Sequence, residues 1–330
     1  MTAGKGGDVR ARIEQYRCQC REGDQSAVTE ATRKALTDRH YLFVARAAEL
    51  CTERLIYDLE PDLIQAYTRL LEGPVKKDPG CTAKGAIARA LVALDSQDSA
   101  FYVAGMHYRQ QEPVWGGTVD TAVDLRCTCA MGLVSTPYPR ALIELVDLLH
   151  DPEPHARSGA ARAIACAEPL GAEAVLRSKT LAGDPEPEVI GECLAGLLRL
   201  EPDEAPAFVA SFLDGADPAI RELAALALGE SRLDVALEQL RERWDAQPFK
   251  RDVDRVLLRA AVLHRSEAAF DWLCSVMAGG DSVSAELVVS ELAVYRASDR
   301  LRERVRTILE ERGDDRLQQT FDREWPSPRD

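Results

Sequence analysis

The amino-acid sequence predicts an all-α protein, an α-solenoid (superhelix) of about seven stacked antiparallel helix pairs. Asp-Pro dipeptides at Asp151, Asp184 and Asp217 follow one another at intervals of 33 residues, and each precedes a run of small and apolar residues with helical spacing. A fixed period of about 20 to 50 residues is typical of repeat units that bury their apolar faces only against one another. The period therefore predicts a stack of helix pairs over most of the chain.

Residues 141–165 show how one helix pair is encoded. The segment ALIELVDLLH has the apolar spacing of an amphipathic helix. Asp151-Pro-Glu-Pro then ends this helix, because proline lacks a backbone donor and the residue before it avoids the helical region. A second helix restarts near His155, and its inner side is small enough for a close neighbour. The inner positions are Ala160, Ala161, Ala163 and Ile164.

One position recurs on the predicted second helices at intervals of 31 to 42 residues and is often basic. We call these residues the ladder positions: Lys84, Arg126, Arg157, Ile190, Arg221, Asp254 and Glu286. The first three have an aspartate six residues earlier in the sequence. We predict a structural role for the aspartates that accompany the repeat: Asp78, Asp120, Asp151, Asp184 and Asp217.

The pattern Asp-Pro-x(3–4)-Arg-x-x-Ala-Ala-x-Ala-Leu resembles a HEAT repeat of the short bacterial type that also occurs in phycobilin-lyase-related proteins. The resemblance covers roughly residues 40–310. It implies an α-solenoid whose second helices line a concave face and whose Asp and Arg side chains pair between neighbouring turns. Asp254 and Glu286 depart from the pattern because they are acidic, so the last two repeats rest on spacing and apolar pattern alone.

The chain is predicted to have three parts: an N-terminal helical cap at 1–39, the repeat solenoid at 40–313, and a mobile C-terminal tail at 314–330. Within the tail, Phe321 and Trp325 are expected to dock on the last repeat, the alternative being a short ligand motif for a partner.

An insert at 101–120, FYVAGMHYRQQEPVWGGTVD, interrupts the ladder. The interval from Lys84 to Arg126 is 42 residues, about ten longer than the others. Such insertions map to loops on one face of a repeat protein, often the binding face. The Gly-Gly after Trp115 predicts a turn with positive φ that presents or tucks in the indole. Two interpretations stay open: a binding element, or an aromatic plug between two poorly fitting repeats.

Composition and charge limit the functional classes. A net charge of −14 argues against a general nucleic-acid binder, although a local basic strip of arginines remains a third possibility. No apolar run approaches the length of a membrane span, and residues 1–12 do not read as a secretory signal. Nine cysteines without a regular framework favour a reducing cytoplasm.

No catalytic or metal-binding pattern emerges from the sequence. The five histidines are scattered, and there is no G-x-S-x-G, P-loop or G-x-G-x-x-G motif. The Cys-x-Cys pairs at Cys18 and Cys127 lack the further ligands that a zinc site needs. The His-Glu pairs of HEAT-like deoxyhypusine hydroxylases are absent, and the charge disfavours the basic face of HEAT-like alkylpurine glycosylases. We therefore predict neither a cofactor nor a metal, and a non-enzymatic protein rather than an enzyme.

The sequence favours a protein-protein interaction scaffold or adaptor that uses the concave face and the 101–120 insert. The expected partner is a protein or peptide. The alternative is an accessory factor, lyase or chaperone for attachment of a bilin-like cofactor, as the resemblance implies. The candidate partner-binding residues are Tyr108, Trp115, Lys84, Arg89, Arg126, Arg157 and Arg162.

Overall fold

The computed structural model describes residues 4–246 and 252–326. Nearly all of this backbone is helical, and consecutive helices pack as pairs, so the predicted all-α stack of helix pairs is confirmed. The helices form two compact units, Met1–Ala172 and Glu173–Asp330.

The first unit consists of nine complete helices and one β-hairpin in its described part. The helices α3, α5, α7 and α9 pack against one another in series, and α4, α6 and α8 contact the next helix along the chain. The elements are α1 (Gly4–Glu22), α2 (Gln25–Leu36), α3 (Tyr41–Arg54), α4 (Glu60–Leu71), α5 (Thr82–Ala93), α6 (Ser99–His107), β1 (Gln111–Val114), β2 (Gly117–Asp120), α7 (Val123–Val134), α8 (Ala141–Leu148) and α9 (Pro154–Ile164).

Small residues let the helices of this unit approach closely. A Cβ atom at Gly132 of α7 would lie 2.3 Å from the ring of Tyr102 on α6. A Cβ at Gly105 of α6 would lie 2.3 Å from the Sγ of Cys129 on α7. Cys129 is fully buried, which agrees with a packing role for this thiol. The repeat thus uses glycine and cysteine where aromatic rings enter the helix interface.

The second unit repeats the same plan. The helices α11, α13, α15, α17 and α19 contact one another in series. Proline occupies the first turn of α11 and α13, where its missing N–H has no helical acceptor to lose. The helices are α10 (Pro169–Ala182), which crosses the boundary between the units, α11 (Pro187–Leu200), α12 (Ala205–Ala210), α13 (Pro218–Ser231), α14 (Asp234–Asp245), α15 (Asp252–His264), α16 (Glu267–Gly279), α17 (Ser282–Leu292), α18 (Asp299–Arg312) and α19 (Asp315–Glu324).

The C-terminal segment from residue 314 contains helix α19, and residues 327–330 lie outside the described part. The mobility expected for this segment stays a prediction. Leu317, Phe321 and Trp325 recur every four residues and are buried. The indole Nε1 of Trp325 donates a hydrogen bond to the carbonyl of Val289 at 3.0 Å. The expected docking of Phe321 and Trp325 is therefore observed, and this apolar stripe packs the segment against α17.

Three large side chains of the second unit lie in the core. Trp244 and Trp272 are buried and meet edge to face, with ring centroids 6.3 Å apart. His264 is buried, and its ring nitrogens lie 2.8 Å from Ser266 Oγ and 3.1 Å from the carbonyl of Leu233. These contacts satisfy the imidazole within the packed helices, as a structural histidine requires.

Candidate functional site

The insertion in the ladder is a β-hairpin. Its strands pair antiparallel from Gln111 opposite Asp120 to Val114 opposite Gly117, so the hairpin and its turn span the ten residues 111–120. The earlier part of the 101–120 segment belongs mostly to α6 and is part of the regular stack. Gly116 in the turn has a φ of 90°, a value that glycine adopts without strain. The predicted turn with positive φ is therefore present, at the tip of a hairpin.

The tip of the hairpin is apolar and exposed. The side chain of Trp115 is fully exposed at 104%, and Val114 and Val119 are about half exposed. The other three tryptophans of the chain, Trp244, Trp272 and Trp325, are buried. The structure thus presents Trp115 to solvent, which decides between the two orientations that the turn allowed.

The base of the hairpin is fixed by a buried amide. Gln110 is fully buried, and its backbone N–H donates to the Oδ1 of Asp120 at 3.0 Å. Its side-chain Nε2 donates to the carbonyl of Asp78 at 2.8 Å and to Glu112 Oε1 at 2.7 Å. Glu112 Oε1 also accepts from the backbone N–H of Gly80 at 2.7 Å. These bonds connect the hairpin to the segment that precedes α5.

A buried ion pair lies beside Gln110. Lys84 Nζ is 2.9 Å from the Oδ2 of Asp78, and each residue is only 1% exposed. Asp78 also accepts hydrogen bonds from the backbone N–H groups of Ala83 and Lys84, so its carboxylate caps the start of α5. The ring of Tyr108 lies 5.3 Å from Lys84 Nζ and covers it from solvent. The charge of Lys84 is therefore neutralised inside the protein.

A second buried cation, Arg126, bridges two carboxylates. Its Nη1 donates to Asp120 Oδ2 at 2.6 Å, and its Nη2 donates to Asp151 Oδ1 at 3.2 Å. Arg109, just before the hairpin, donates from Nη2 to Asp151 Oδ2 at 2.5 Å. Arg126 thus pairs with the aspartate of its own repeat and with that of the next one. This is the arrangement that the resemblance to HEAT repeats implies. We refer to Asp78, Lys84, Gln110, Asp120, Arg126 and Asp151 as the base network.

Hydrogen bonds at the base of the hairpin lower the pKa of two carboxyl groups, Asp120 and Glu112. Burial alone would raise the pKa of Asp120, but hydrogen bonds from the backbone of Gln110 and Ala122 and from Arg126 outweigh it and lower that pKa. At Glu112 the pKa is lowered in the same way, because donors from Gln110, Thr121 and Gly80 outweigh partial burial. The base network is therefore an ion-paired anchor for the hairpin.

This geometry corrects two of the predicted partner-binding residues. Lys84 and Arg126 are fully buried, so neither side chain reaches a surface where a partner could contact it. Both residues lie on second helices of the repeat, as the ladder predicts, but the residues around Gln110 cover their side chains. Both belong to the anchor rather than to an interaction surface.

The remaining predicted residues lie closer to solvent. Arg89 on α5 is exposed, and Arg162 on α9 is half-buried. Arg157 is half-buried, and its Nη1 donates to the carbonyls of Asp151 at 3.0 Å and Pro152 at 3.1 Å. Tyr108 is half-buried, and its hydroxyl donates to Gln110 Oε1 at 2.9 Å. Tyr108 therefore belongs to the base of the hairpin and Trp115 to its tip.

The two aspartates of the second unit have local roles. Asp184 lies 2.8 Å from Lys179 Nζ. Asp217 caps α13 by accepting from the backbone N–H of Ala219 at 2.8 Å. Arg221 donates to the carbonyls of Gly215 and Ala216 just before that helix.

Sequence reasoning missed Gln110 and Glu112, which hold the hairpin in place. A signal for the hairpin was present, because a short Gly-containing turn with β-branched residues on one side is typical of one. Nothing in the pattern showed that a glutamine before the first strand would be buried.

The described ranges contain neither a cluster of metal ligands nor a membrane-spanning helix. No group of three or more His, Cys, Asp or Glu side chains is placed there to hold a metal ion. Within the same ranges, no helix has both the length and the apolar character that crossing a bilayer requires.

Comparison with known proteins finds similarity among solved structures alone. No family model matches the chain. No curated protein matches it. Among solved structures, the chain is similar to the complex of CpcE and CpcF of phycocyanin lyase from Nostoc sp. PCC7120. The TM-score is 0.37 and the identity 16%, over 75% of this chain and 94% of that one.

Proposed function

We propose that this chain is a non-enzymatic interaction protein that presents Trp115 to a protein or peptide partner. The observation that supports this proposal is a fully exposed tryptophan at the tip of a hairpin whose base is buried. The helices of the first unit serve as the scaffold that holds the hairpin.

Tryptophan is a strong anchor for such a contact. Its large rigid ring buries a large area at little cost in side-chain entropy, and binding hot spots are enriched in it. Val114 and Val119 add apolar surface on the same hairpin. An apolar pocket or groove on the partner is the complementary surface for such a tip.

The base network makes the tip ready for binding. Gln110 and Asp120 fix the ends of the two strands from inside the protein, so a partner does not have to order the hairpin when it binds. Preorganisation of this kind raises affinity by lowering the entropic cost of association. Arg89 and Arg162 remain proposed contacts for acidic groups of the same partner.

The test is a tagged full-length chain used for affinity capture from its own cell lysate, beside the Trp115→Ala variant. Leu181→Ala is the matched control, because it also truncates an exposed apolar side chain, 69% exposed, but in the second unit. We expect a protein captured by the wild type and by the control to be lost with Trp115→Ala. Thermal melting should be unchanged in both variants.

Binding of the purified captured protein is then measured directly. Loss of a hot-spot tryptophan costs about 2 to 4 kcal/mol, a fall in affinity of roughly 30-fold to 1,000-fold. The emission of Trp115 provides a second readout, because the other tryptophans are buried and a partner that covers the indole should shift the spectrum to the blue. Equal affinities for the wild type and Trp115→Ala would refute the proposal.

The alternative function, an accessory role in bilin-like cofactor attachment, is separated by the same capture experiment. It predicts a coloured catch and a change in absorbance when the purified chain is mixed with tetrapyrroles. A colourless protein partner that depends on Trp115 favours the interaction role.

A further inference from the structure

A cavity of about 440 Å³ lies between α1 and α3 in the first unit. Its walls carry four arginines and a single carboxylate, whereas the chain as a whole has a net charge of −14. The charged wall residues are Arg17, Arg21, Arg46, Arg54 and Glu53. The cavity is therefore locally basic in a protein that is acidic as a whole.

Only part of this charge is neutralised within the protein. Arg46 Nη1 lies 2.8 Å from Glu53 and 3.0 Å from Glu49, so these two acids are already engaged. The Nε of Arg46 is buried, and no described residue accepts a hydrogen bond from it. Arg17 pairs with Glu14 at 2.9 Å in an exposed contact between residues one turn apart, which is a weak interaction.

Two guanidinium groups are left without a carboxylate. In the described part of the chain, Arg21 forms no ion pair, and Arg54 reaches only the carbonyl of Cys20, at 3.5 Å. Both side chains belong to exposed residues that line the cavity. Like charges that converge on one concave surface repel each other, and an anion between them removes that cost.

The floor of the cavity supplies no negative charge of its own. Tyr16 Oη lies 3.0 Å from Thr32 Oγ1, and burial raises the pKa of this phenol. Burial is also the main reason why the pKa of the Cys20 thiol is raised, so both groups are neutral at physiological pH. The counter-charge has to come from a ligand or from the solvent.

We propose that this cavity binds a compact anion that carries two or more oxyanion groups, phosphoryl or carboxylate. The planar guanidinium fork matches both, because it donates two parallel hydrogen bonds to the oxygens of one group. The volume lies within the range of about 300 to 1,000 Å³ found for small-molecule sites. Arg21 and Arg54 hold the anion from α1 and α3, and Arg46 lines the same cavity. This site is independent of the Trp115 hairpin.

Calorimetric titration of the full-length chain with inorganic pyrophosphate, and separately with citrate, tests the proposal. The variant is Arg21→Ala with Arg54→Ala. The matched control is Arg10→Ala with Arg39→Ala, which removes the same two charges from exposed positions of the first unit outside the cavity. We expect saturable binding to the wild type and the control, and at least about tenfold weaker binding to the cavity variant. Circular dichroism verifies that both variants are folded.

Each outcome has a defined meaning. Binding of pyrophosphate alone identifies a phosphoryl ligand, and binding of citrate alone a carboxylate ligand. Binding of both supports a site for either oxyanion. No saturable binding to the wild type would overturn the proposal, and so would equal weakening by the two double variants, which would show a non-specific charge effect. If the alanine variant is not folded, Arg21→Gln with Arg54→Gln replaces it.

Discussion

Replacing Arg126 with methionine removes the cation that two buried carboxylates share. The side chains of Arg126, Asp120 and Asp151 are at most 2% exposed, so water cannot replace the lost hydrogen bonds. Asp151 keeps its contact with Arg109, but Asp120 loses its only ion-pair partner in the described structure. Breaking a buried pair from one side costs about 3 to 5 kcal/mol, because an uncompensated charge stays inside. We expect a loss of this size in the free energy of unfolding.

The matched control is Arg109→Met. Arg109 contacts the same carboxylate of Asp151 but is 41% exposed, and Arg126 remains to neutralise that acid. The expected loss is about 1 kcal/mol or less, as for ion pairs with access to solvent. Urea denaturation followed by far-ultraviolet circular dichroism measures both variants against the wild type.

The effect of Arg126→Met should depend on pH. In the wild type the folded-state pKa of Asp120 is lowered, so this carboxylate contributes stability above its unfolded pKa, and the contribution is lost as the pH falls through the folded pKa. Without Arg126 the folded pKa rises, because burial now favours the neutral acid. At acidic pH, protonation of Asp120 in the variant removes the uncompensated buried charge and so reduces the loss of stability. The difference in stability is therefore expected to be largest near pH 7 and clearly smaller near about pH 4.

Two results would refute this reasoning. If Arg126→Met costs no more than Arg109→Met, the bridging of two buried carboxylates does not stabilise the fold. If the difference from the wild type is the same at both pH values, the charge of Asp120 is not the cause of the loss.

Two further predictions concern packing and thiol chemistry. A Cβ at Gly229 of α13 would lie 2.2 Å from the carbonyl oxygen of Ala260, so Gly229→Ala should lower the unfolding free energy by about 1 to 3 kcal/mol. A Cβ at Gly279 would face open space, so the control Gly279→Ala should leave the melting temperature nearly unchanged. A thiol reagent in native buffer should modify Cys18 and Cys166 rapidly, because both residues are exposed. Buried thiols such as Cys193 should react slowly, because burial hides the sulfur and raises the pKa of Cys193 to about 12. Rapid modification of all nine thiols would contradict this prediction.

The helical stack could be predicted from the sequence because its cause is local and repeated. Proline after Asp217 ends one helix and starts the next, and small residues such as Ala160 recur where helices must approach. The hairpin is encoded only once, so periodicity showed where the ladder was interrupted but not what filled the gap. Docking was the favoured interpretation of Phe321 and Trp325, and their burial confirms it.

The burial of Lys84 and Arg126 could not be predicted, because it depends on neighbours that are distant in sequence. Arg157 occupies the equivalent position in the next repeat and is only half-buried. The difference lies in residues 108–110, since the ring of Tyr108 covers Lys84 and the carbonyl of Tyr108 accepts from Arg126 at 3.1 Å. A helical pattern reports the side of a helix on which a residue lies, but not what packs over that side.

The buried base network and the exposed tip of the hairpin can be changed independently, which makes the proposed function testable. The base network is buried and ion-paired, so a change at Arg126 should lower stability and, by loosening the hairpin, weaken partner binding as well. Trp115 makes its proposed contribution only in the complex, because its side chain is fully exposed in the isolated chain. A variant that loses binding while its unfolding free energy is unchanged therefore identifies the interaction surface, and one that loses both identifies the anchor. If Trp115→Ala lowered the unfolding free energy, Trp115 would have a structural role, and the proposal that it contacts a partner would lose its support.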